Sequence, residues 1–362
     1  MLYLSPPEDL SSLLVGEPSY RAKQLERWLY RTPVLDTSEM TNLSTALRER
    51  LQPNLWPFRV VLTETADDGA TRKLLFKTPR ETSIESVIMG YPRRTTLCLS
   101  SQAGCAMGCT FCATGQFGFE RQLEPGEIIA QVAYASAILR KEPLPDSPSR
   151  ITNVVFMGMG EPLANYRRVR EALRRMIDIM KIPARAITVS TVGIVPGIRK
   201  LADEPWPVNL AISLHATTDE LRSSIVPINE RYPLHDLIAE ARNYFERKGR
   251  RVTIEWALIS GENDQEEEAV RLAVIAQRMR AHINVIPLNP TPLTAQSAPS
   301  AATIQKFMST LQRQGANATL RNIRGASINA ACGQLRLHAE GDSGRLRTGT
   351  ATVTAIPRKG KA

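Results

Sequence analysis

From about residue 95 onward, two patterns alternate along the chain. Short runs of β-branched and apolar residues (96–99, 152–156, 187–190, 209–213, 252–256 and 284–287) are separated by segments in which apolar positions recur every three or four residues, such as 127–141, 166–180, 234–248, 266–280 and 303–314. Alternation at a spacing of about 30 residues predicts repeated βα units around a parallel sheet. Six units predict an α/β fold with a partial, open (β/α)6 barrel rather than a closed barrel of eight.

The chain ahead of this region reads differently. In residues 1–55, Leu25, Trp28 and Leu29 fall on one helical face, with Arg21, Lys23, Arg27 and Arg31 around it. A second helix is predicted after Thr41 or Ser44. Residues 56–94 carry three β-rich runs, 59–62, 72–76 and 85–89, and Asp67-Asp68-Gly69 between the first two is a hairpin turn. The predicted organisation is therefore an N-terminal helical domain (1–55), a β-extension (56–94), the barrel (95–338) and a basic, mobile tail (339–362).

Composition narrows the class. With 362 residues and 43% hydrophobic content the chain can bury a large core, which excludes a disordered protein, a disulfide miniprotein and a collagenous repeat. Lys and Arg number 46 against 36 Asp and Glu, and the net charge of +10 favours a polyanionic partner, RNA or DNA before an anionic membrane. The opening residues, Met1 to Glu8, lack a basic stretch followed by an apolar one, and no uncharged apolar run approaches the roughly 18 residues of a membrane span. The expectation is a cytoplasmic, monomeric protein with no membrane contact.

Five cysteines are too few and too clustered for an extracellular disulfide framework. Cys105, Cys109 and Cys112 form a C-x3-C-x2-C arrangement directly after the first barrel strand, on the side where barrel active sites lie. Three thiolates in one loop can ligate three irons of a [4Fe-4S] cluster and leave the fourth iron open to an outside chelating ligand. The alternative is a four-thiolate zinc site that recruits Cys98. Gly158-Met-Gly-Glu161-Pro follows the second strand but lacks the third glycine of a dinucleotide loop. It reads instead as a turn that sets a carboxylate beside the cluster, suited to an ammonium group.

A cluster with one open iron is the feature of the radical S-adenosylmethionine (SAM) superfamily. The segments Thr96-Leu-Cys-Leu-Ser-Ser-Gln-Ala-Gly-Cys, Phe156-Met-Gly-Met-Gly-Glu-Pro-Leu, Ser190-Thr-Val-Gly, Ala211-Ile-Ser-Leu-His-Ala and Ala330-Ala-Cys-Gly-Gln-Leu make the resemblance more specific. From about residue 16 to 335 the chain resembles the RlmN/Cfr family of RNA adenine methyltransferases. The resemblance implies a [4Fe-4S] cluster on Cys105, Cys109 and Cys112. It also implies SAM held by Gly160, Glu161, Ser190, Ser213, Leu214, His215 and Asn289. Leu288 departs from the pattern, since tryptophan often stands at that position.

By the same resemblance Cys332 is methylated and delivers the methyl group, Cys98 is a second catalytic thiol, and Glu85 is a proton acceptor. The chemistry accounts for so unusual a set. Carbon 2 or carbon 8 of adenine is too poor a nucleophile to take a sulfonium methyl directly, whereas a thiolate can. One SAM then methylates Cys332, and a second is cleaved reductively to a 5′-deoxyadenosyl radical that activates the S-methyl group, two SAM per turnover. The base becomes tethered to Cys332, and release needs a proton acceptor and a disulfide between Cys98 and Cys332.

The implied substrates are 23S rRNA at the peptidyl-transferase centre and the tRNA adenine beside the anticodon, with an external, flavodoxin-like electron donor. Methylation at carbon 2 is expected, carbon 8 being the Cfr-type alternative that the motifs do not separate. Arg167, Arg168, Arg170, Arg174 and Arg175 on one predicted helix are candidate phosphate contacts. A non-catalytic zinc protein that binds RNA is the alternative from another class.

Overall fold

The computed structural model describes residues 1–291, 294–321, 325–331 and 333–335. Cys332 and the 339–362 tail lie outside the described residues.

One ten-stranded sheet organises the chain. Strands β1 (Arg59–Ala66), β2 (Thr71–Lys77), β3 (Ser83–Tyr91) and β4 (Arg94–Cys98) run antiparallel in sequence. A short antiparallel pair, β5 (Gln102–Gly104) and β6 (Phe119–Gln122), stands apart from the sheet. From β4 the sheet continues in parallel through β7 (Asn153–Phe156), β8 (Ile187–Thr191), β9 (Asn209–Ser213), β10 (Thr253–Leu258), β11 (His282–Pro287) and β12 (Ala318–Leu320). The order β1-β2-β3-β4-β7-β8-β9-β10-β11-β12 leaves β1 and β12 at opposite edges, so the parallel part is an open barrel wall. The six expected barrel strands are present. β12 is additional, a three-residue strand whose sequence carries no apolar run.

Helices return the chain between strands. After α1 (Tyr20–Glu26), α2 (Thr45–Leu51) and the single turn α3 (Ala113–Gln116) come α4 (Pro125–Lys141), α5 (Tyr166–Arg174), α6 (Val195–Asp203) and α7 (Asp219–Ile225), followed by α8 (Leu234–Lys248), α9 (Glu266–Met279) and α10 (Ala301–Arg313). Their ends follow local chemistry. Glu124 and Glu127 form a reciprocal capping box with proline at the first position of α4, and Gly249 closes α8 in the left-handed region at φ 61°. No helix among the described residues is long and apolar enough to cross a membrane.

The N-terminal helices share the barrel's hydrophobic core. Leu25, Leu29 and Leu47 belong to the same buried cluster as Val154, Leu210 and Ile254. An aromatic chain forms the joint: Tyr3 stacks on Trp56 (5.0 Å), Phe58 lies against Phe76 (4.1 Å), and Phe76 meets Tyr134 of α4 edge-on (5.5 Å).

The β1–β2 hairpin turns through Asp67, Asp68 and Gly69, all at positive φ. It also grips a distant segment. Asp67 Oδ2 accepts the Gly325 N–H (3.0 Å), and buried Lys73, paired with Glu64 at 2.9 Å, donates to the Ile328 carbonyl (2.6 Å). The hairpin thus fixes the stretch that leads to Cys332.

The arginine-rich helix departs from expectation. The helix predicted over 166–180 ends as an α-helix at Arg174 and continues as a π-turn, and most of its arginines bond inside the molecule. Arg168 pairs with Glu124 (3.0 Å), Arg170 with Glu204 (2.6 Å), and Arg174 with Glu171 (2.8 Å) and Glu8 (3.4 Å). Arg175 is buried, pairs with Glu171 and donates to the Tyr3 carbonyl. Arg168, Arg170 and Arg175 tie this segment to other elements, while Arg167 and Arg170 remain exposed.

Candidate active site

A cleft opens at the carboxyl ends of the parallel strands, where barrel sites are expected. Cys105, Cys109 and Cys112 line one side of it. Their loop is pinned at several points. The β5–β6 pair closes its base, and the Cys105 N–H donates to the Gly118 carbonyl (3.0 Å). The Thr110 N–H bonds the Ile225 carbonyl at the end of α7 (3.1 Å), and the Ala113 N–H bonds the Gly333 carbonyl (2.8 Å). Burial pushes all three thiols up, Cys105 to about 12, and the neighbouring thiols raise Cys109 further.

The opposite wall begins at the loop after β7, which is laid directly on residues 99–102. The Gly158 N–H bonds the Leu99 carbonyl (3.1 Å), the Met159 N–H bonds Ser100 Oγ (2.9 Å), and the Glu161 N–H bonds Gln102 Oε1 (2.8 Å). So close an approach requires glycine. A Cβ at Gly158 would stand 2.6 Å from the Leu99 carbonyl oxygen, and one at Gly160, where φ is 96°, would stand 2.4 Å from Gln102. Gly158→Ala is therefore expected to lower the unfolding free energy by about 1–3 kcal/mol, read from urea unfolding. An unchanged midpoint would mean that the loop has room to move.

Glu161 lies under this loop, almost wholly buried. Its two oxygens accept the N–H groups of Leu163 (2.9 Å) and Val192 (2.8 Å). Burial pushes its carboxyl up to about 7 against the pull of those donors. Each oxygen keeps a lone pair that can accept a ligand's ammonium.

Ser190 at the end of β8, Ser213 at the end of β9, His215 and Asn289 complete the lining. His215 stands at a left-handed φ of 62°. Its Nδ1 accepts the Ala257 N–H (2.9 Å), so the proton of the neutral ring sits on Nε2. Burial, aided by the charge of Arg222, holds the imidazole down to about 3, which makes His215 a fixed neutral donor. Phe111 packs edge-on against it at 4.6 Å.

Three other expected residues take different places. Leu214 is not on the cleft wall: its side chain is in the main core, its N–H bonds the Glu255 carbonyl (3.1 Å) and its carbonyl accepts from Arg222 (3.0 Å). It follows the last residue of β9, just before His215 at positive φ. Cys98, at the end of β4, packs with Val87, Met159, Ala330 and Leu335. Glu85 on β3 is buried and, by strand alternation, shares a face with Val87, which is opposite Cys98. Neither Cys98 nor Glu85 is among the cleft-lining residues. Cys332 lies outside the described residues; its neighbours Ala331 and Gly333 are described, and Gly333 lines the cleft.

Residues 99–273 match the radical SAM superfamily, and residues 10–55 match the ribosomal RNA large subunit methyltransferase N-terminal domain. A protein of Frankia alni described as a probable dual-specificity RNA methyltransferase RlmN is 46% identical over 345 residues, 93% of this chain and 82% of that protein. One of Chloroflexus aurantiacus with the same description is 46% identical over 331 residues, 88% of each chain. The chain belongs to the RlmN family of radical SAM RNA methyltransferases. A crystal structure of a radical SAM methyltransferase from Sphaerobacter thermophilus superposes with a TM-score of 0.87 at 46% identity, covering 92% of this chain and 98% of that one.

Membership in the RlmN family brings a [4Fe-4S] cluster and SAM, and the donor set fits both. Three soft thiol donors face one cleft, a donor set suited to iron. Cys98 packs in a different cluster from Cys109, so the four-thiolate zinc set is not assembled. Among the described residues no group of three or more His, Cys, Asp or Glu side chains is gathered as a site for a single metal ion. For SAM, the cleft offers a buried carboxylate and a fixed imidazole donor beside apolar wall residues such as Ile286 and Leu288.

Some participants escaped the sequence reading. Glu255 of β10 lines the cleft, held by Asn284 (3.0 Å) and Arg321 (3.6 Å), with burial raising its carboxyl. Asn263, fully buried, donates to the carbonyls of His215 and Ala257 (2.8 Å each) and accepts the Ile259 N–H (2.7 Å), fixing the backbone that aims His215. Its setting, Gly261-Glu-Asn-Asp, reads only as a turn.

Proposed function

We propose that this protein is a dual-specificity RNA methyltransferase that places a methyl group on carbon 2 of an adenine, in 23S rRNA at the peptidyl-transferase centre and in tRNA beside the anticodon. The observation that carries the reading is the convergence of three cleft-facing thiols with the segment around Cys332. Gly333 bonds the cysteine loop through Ala113, and Ala330 and Leu335 pack on Cys98. The family names carried by the relatives supply the substrate class.

When bound, the cluster and SAM supply both the methyl group and a 5′-deoxyadenosyl radical, two SAM per turnover. Cys105, Cys109 and Cys112 hold the cluster. Gly160, Glu161, Ser190, Ser213, His215 and Asn289 orient SAM, Glu161 through its ammonium and His215 as a donor from Nε2. Leu214 contributes by fixing the backbone between two of these residues. Cys332 carries the methyl group to the base and remains bonded to it. Glu85 accepts the proton released from the base, and Cys98 frees the product by closing a disulfide with Cys332 as the carbon–sulfur bond breaks.

The surplus of positive charge suits an RNA ligand. A flavodoxin-like protein is the reductant in this reading, and the enzyme works as a cytoplasmic monomer. The test is anaerobic turnover on unmodified 23S rRNA fragments and tRNA, followed by mass spectrometry of the nucleosides. 2-Methyladenosine in both substrates is the expected product. 8-Methyladenosine would assign the Cfr-type reaction, and a peptide or no methylated product would overturn the substrate class.

A further inference from the structure

Arg222 is a fully buried cation on α7 that the mechanism leaves unused. Its Nε donates to the Leu214 carbonyl (3.0 Å), Nη1 to Asn229 Oδ1 (2.9 Å), and Nη2 to the carbonyls of Val192 (2.5 Å) and Ser213 (3.3 Å). Every one of these partners is neutral. Asp219, whose charge reaches Arg222, turns its Oδ1 to Asn229 Nδ2 (3.0 Å) and the Leu234 N–H (2.8 Å). A full positive charge in a dry interior is costly unless an anion compensates it.

Beyond Asp219, the cleft side is where a further anion would stand. The end of α7 is bonded to the cysteine loop through the Thr110 N–H and the Ile225 carbonyl (3.1 Å), and Cys109 packs against Ile225 and Val226 in one apolar cluster. Val192 and Ser213, whose carbonyls the guanidinium holds, line the same cleft as the three thiols. Once loaded, three thiolates around the iron–sulfur core make the site net negative, and reduction adds one more negative charge. A fixed cation behind Cys109 stabilises the reduced state more than the oxidised one, and in this water-poor wall it is weakly screened.

We propose that Arg222 is an electrostatic positioning residue whose buried charge raises the reduction potential of the cluster, while its fork ties the ends of β8 and β9. This rests on the reading of the cysteine loop as a [4Fe-4S] site. No atom is transferred: the electron from the external reductant enters the cluster, and Arg222 changes only the free energy of that step.

The test is an anaerobic, EPR-monitored redox titration of the reconstituted full-length protein without SAM, alongside thermal melting. Arg222→Gln removes the charge and keeps part of the hydrogen bonding. It is expected to shift the one-electron equilibrium at least tenfold toward the oxidised cluster, about 59 mV more negative. Arg222→Lys keeps the charge and loses the fork, so it should titrate near the wild-type potential while melting at a lower temperature. A wild-type potential in Arg222→Gln, or equal shifts in both variants, overturns the proposal. Should Arg222→Gln fail to hold a cluster, Arg222→Lys decides alone: a retained potential despite lower stability supports the charge, and a potential that falls overturns it. A wild-type chain that takes up no iron would instead defeat the cluster reading itself.

Discussion

Cys109→Ala is expected to abolish SAM cleavage while leaving the fold intact. Wild-type protein reconstituted with iron and sulfide under anaerobic conditions should hold about four irons per chain in one [4Fe-4S] cluster. The variant should hold a small fraction of that and release no 5′-deoxyadenosine above background. Cys109 is the most enclosed of the three cleft thiols, packed on Ile225, Val226, Ile259 and Leu288. Alanine keeps the backbone and most of this apolar contact, so the iron-free variant should unfold within about 1–2 kcal/mol of the iron-free wild type. The loss is then one of chemistry, since two thiolates do not hold a cube that three were placed to hold. Cys98→Ala is the companion measurement. Because Cys98 packs with Val87 and Met159 rather than with the loop thiols, its removal should leave the iron content unchanged. Iron lost equally from Cys98→Ala and Cys109→Ala, or one zinc held by four thiolates, would refute the three-ligand assignment.

The parts of this site that could be read from sequence are those whose neighbours are close along the chain. The triplet Cys105, Cys109 and Cys112 sits in one loop, and Gly158 to Glu161 in another. The barrel strands are largely buried and read as short runs of β-branched and apolar residues. What the sequence hid depends on contacts between distant segments. Arg222 stands in Asp-Glu-Leu-Arg-Ser-Ser, a setting indistinguishable from a solvated helix face, and only the packing of α7 behind β8 and β9 reveals a buried cation. The α5 arginines carry contacts that the sequence also hid. Their density resembles an RNA-binding stripe, and three of them also pair with Glu124, Glu204 and Glu8 from three other segments. At Leu214 the side chain lies in the core while its neighbours Ser213 and His215 face the cleft. β12 has no apolar run of its own and exists because β11 offers it an edge to pair with.

Cys332→Ala should separate the two halves of the reaction. The variant keeps Cys105, Cys109, Cys112 and the SAM-facing wall, so it is expected to bind iron and still generate 5′-deoxyadenosine, while RNA methylation falls to background. Cys98→Ala should fail at a different point. With Cys332 intact the base can still be joined to the enzyme, but no second thiol is present to take the sulfur as the bond to carbon breaks. RNA should therefore accumulate covalently bound to the protein and migrate with it on a denaturing gel. The double variant should show no such band, since the attachment requires Cys332. Cys98 packs in one cluster with Ala330 and Leu335, and the Gly333 carbonyl accepts the Ala113 N–H of the cysteine loop. Methylation at the wild-type rate by Cys332→Ala would remove Cys332 from the pathway. A denaturation-resistant adduct in the double variant would mean that another residue forms the bond to the base.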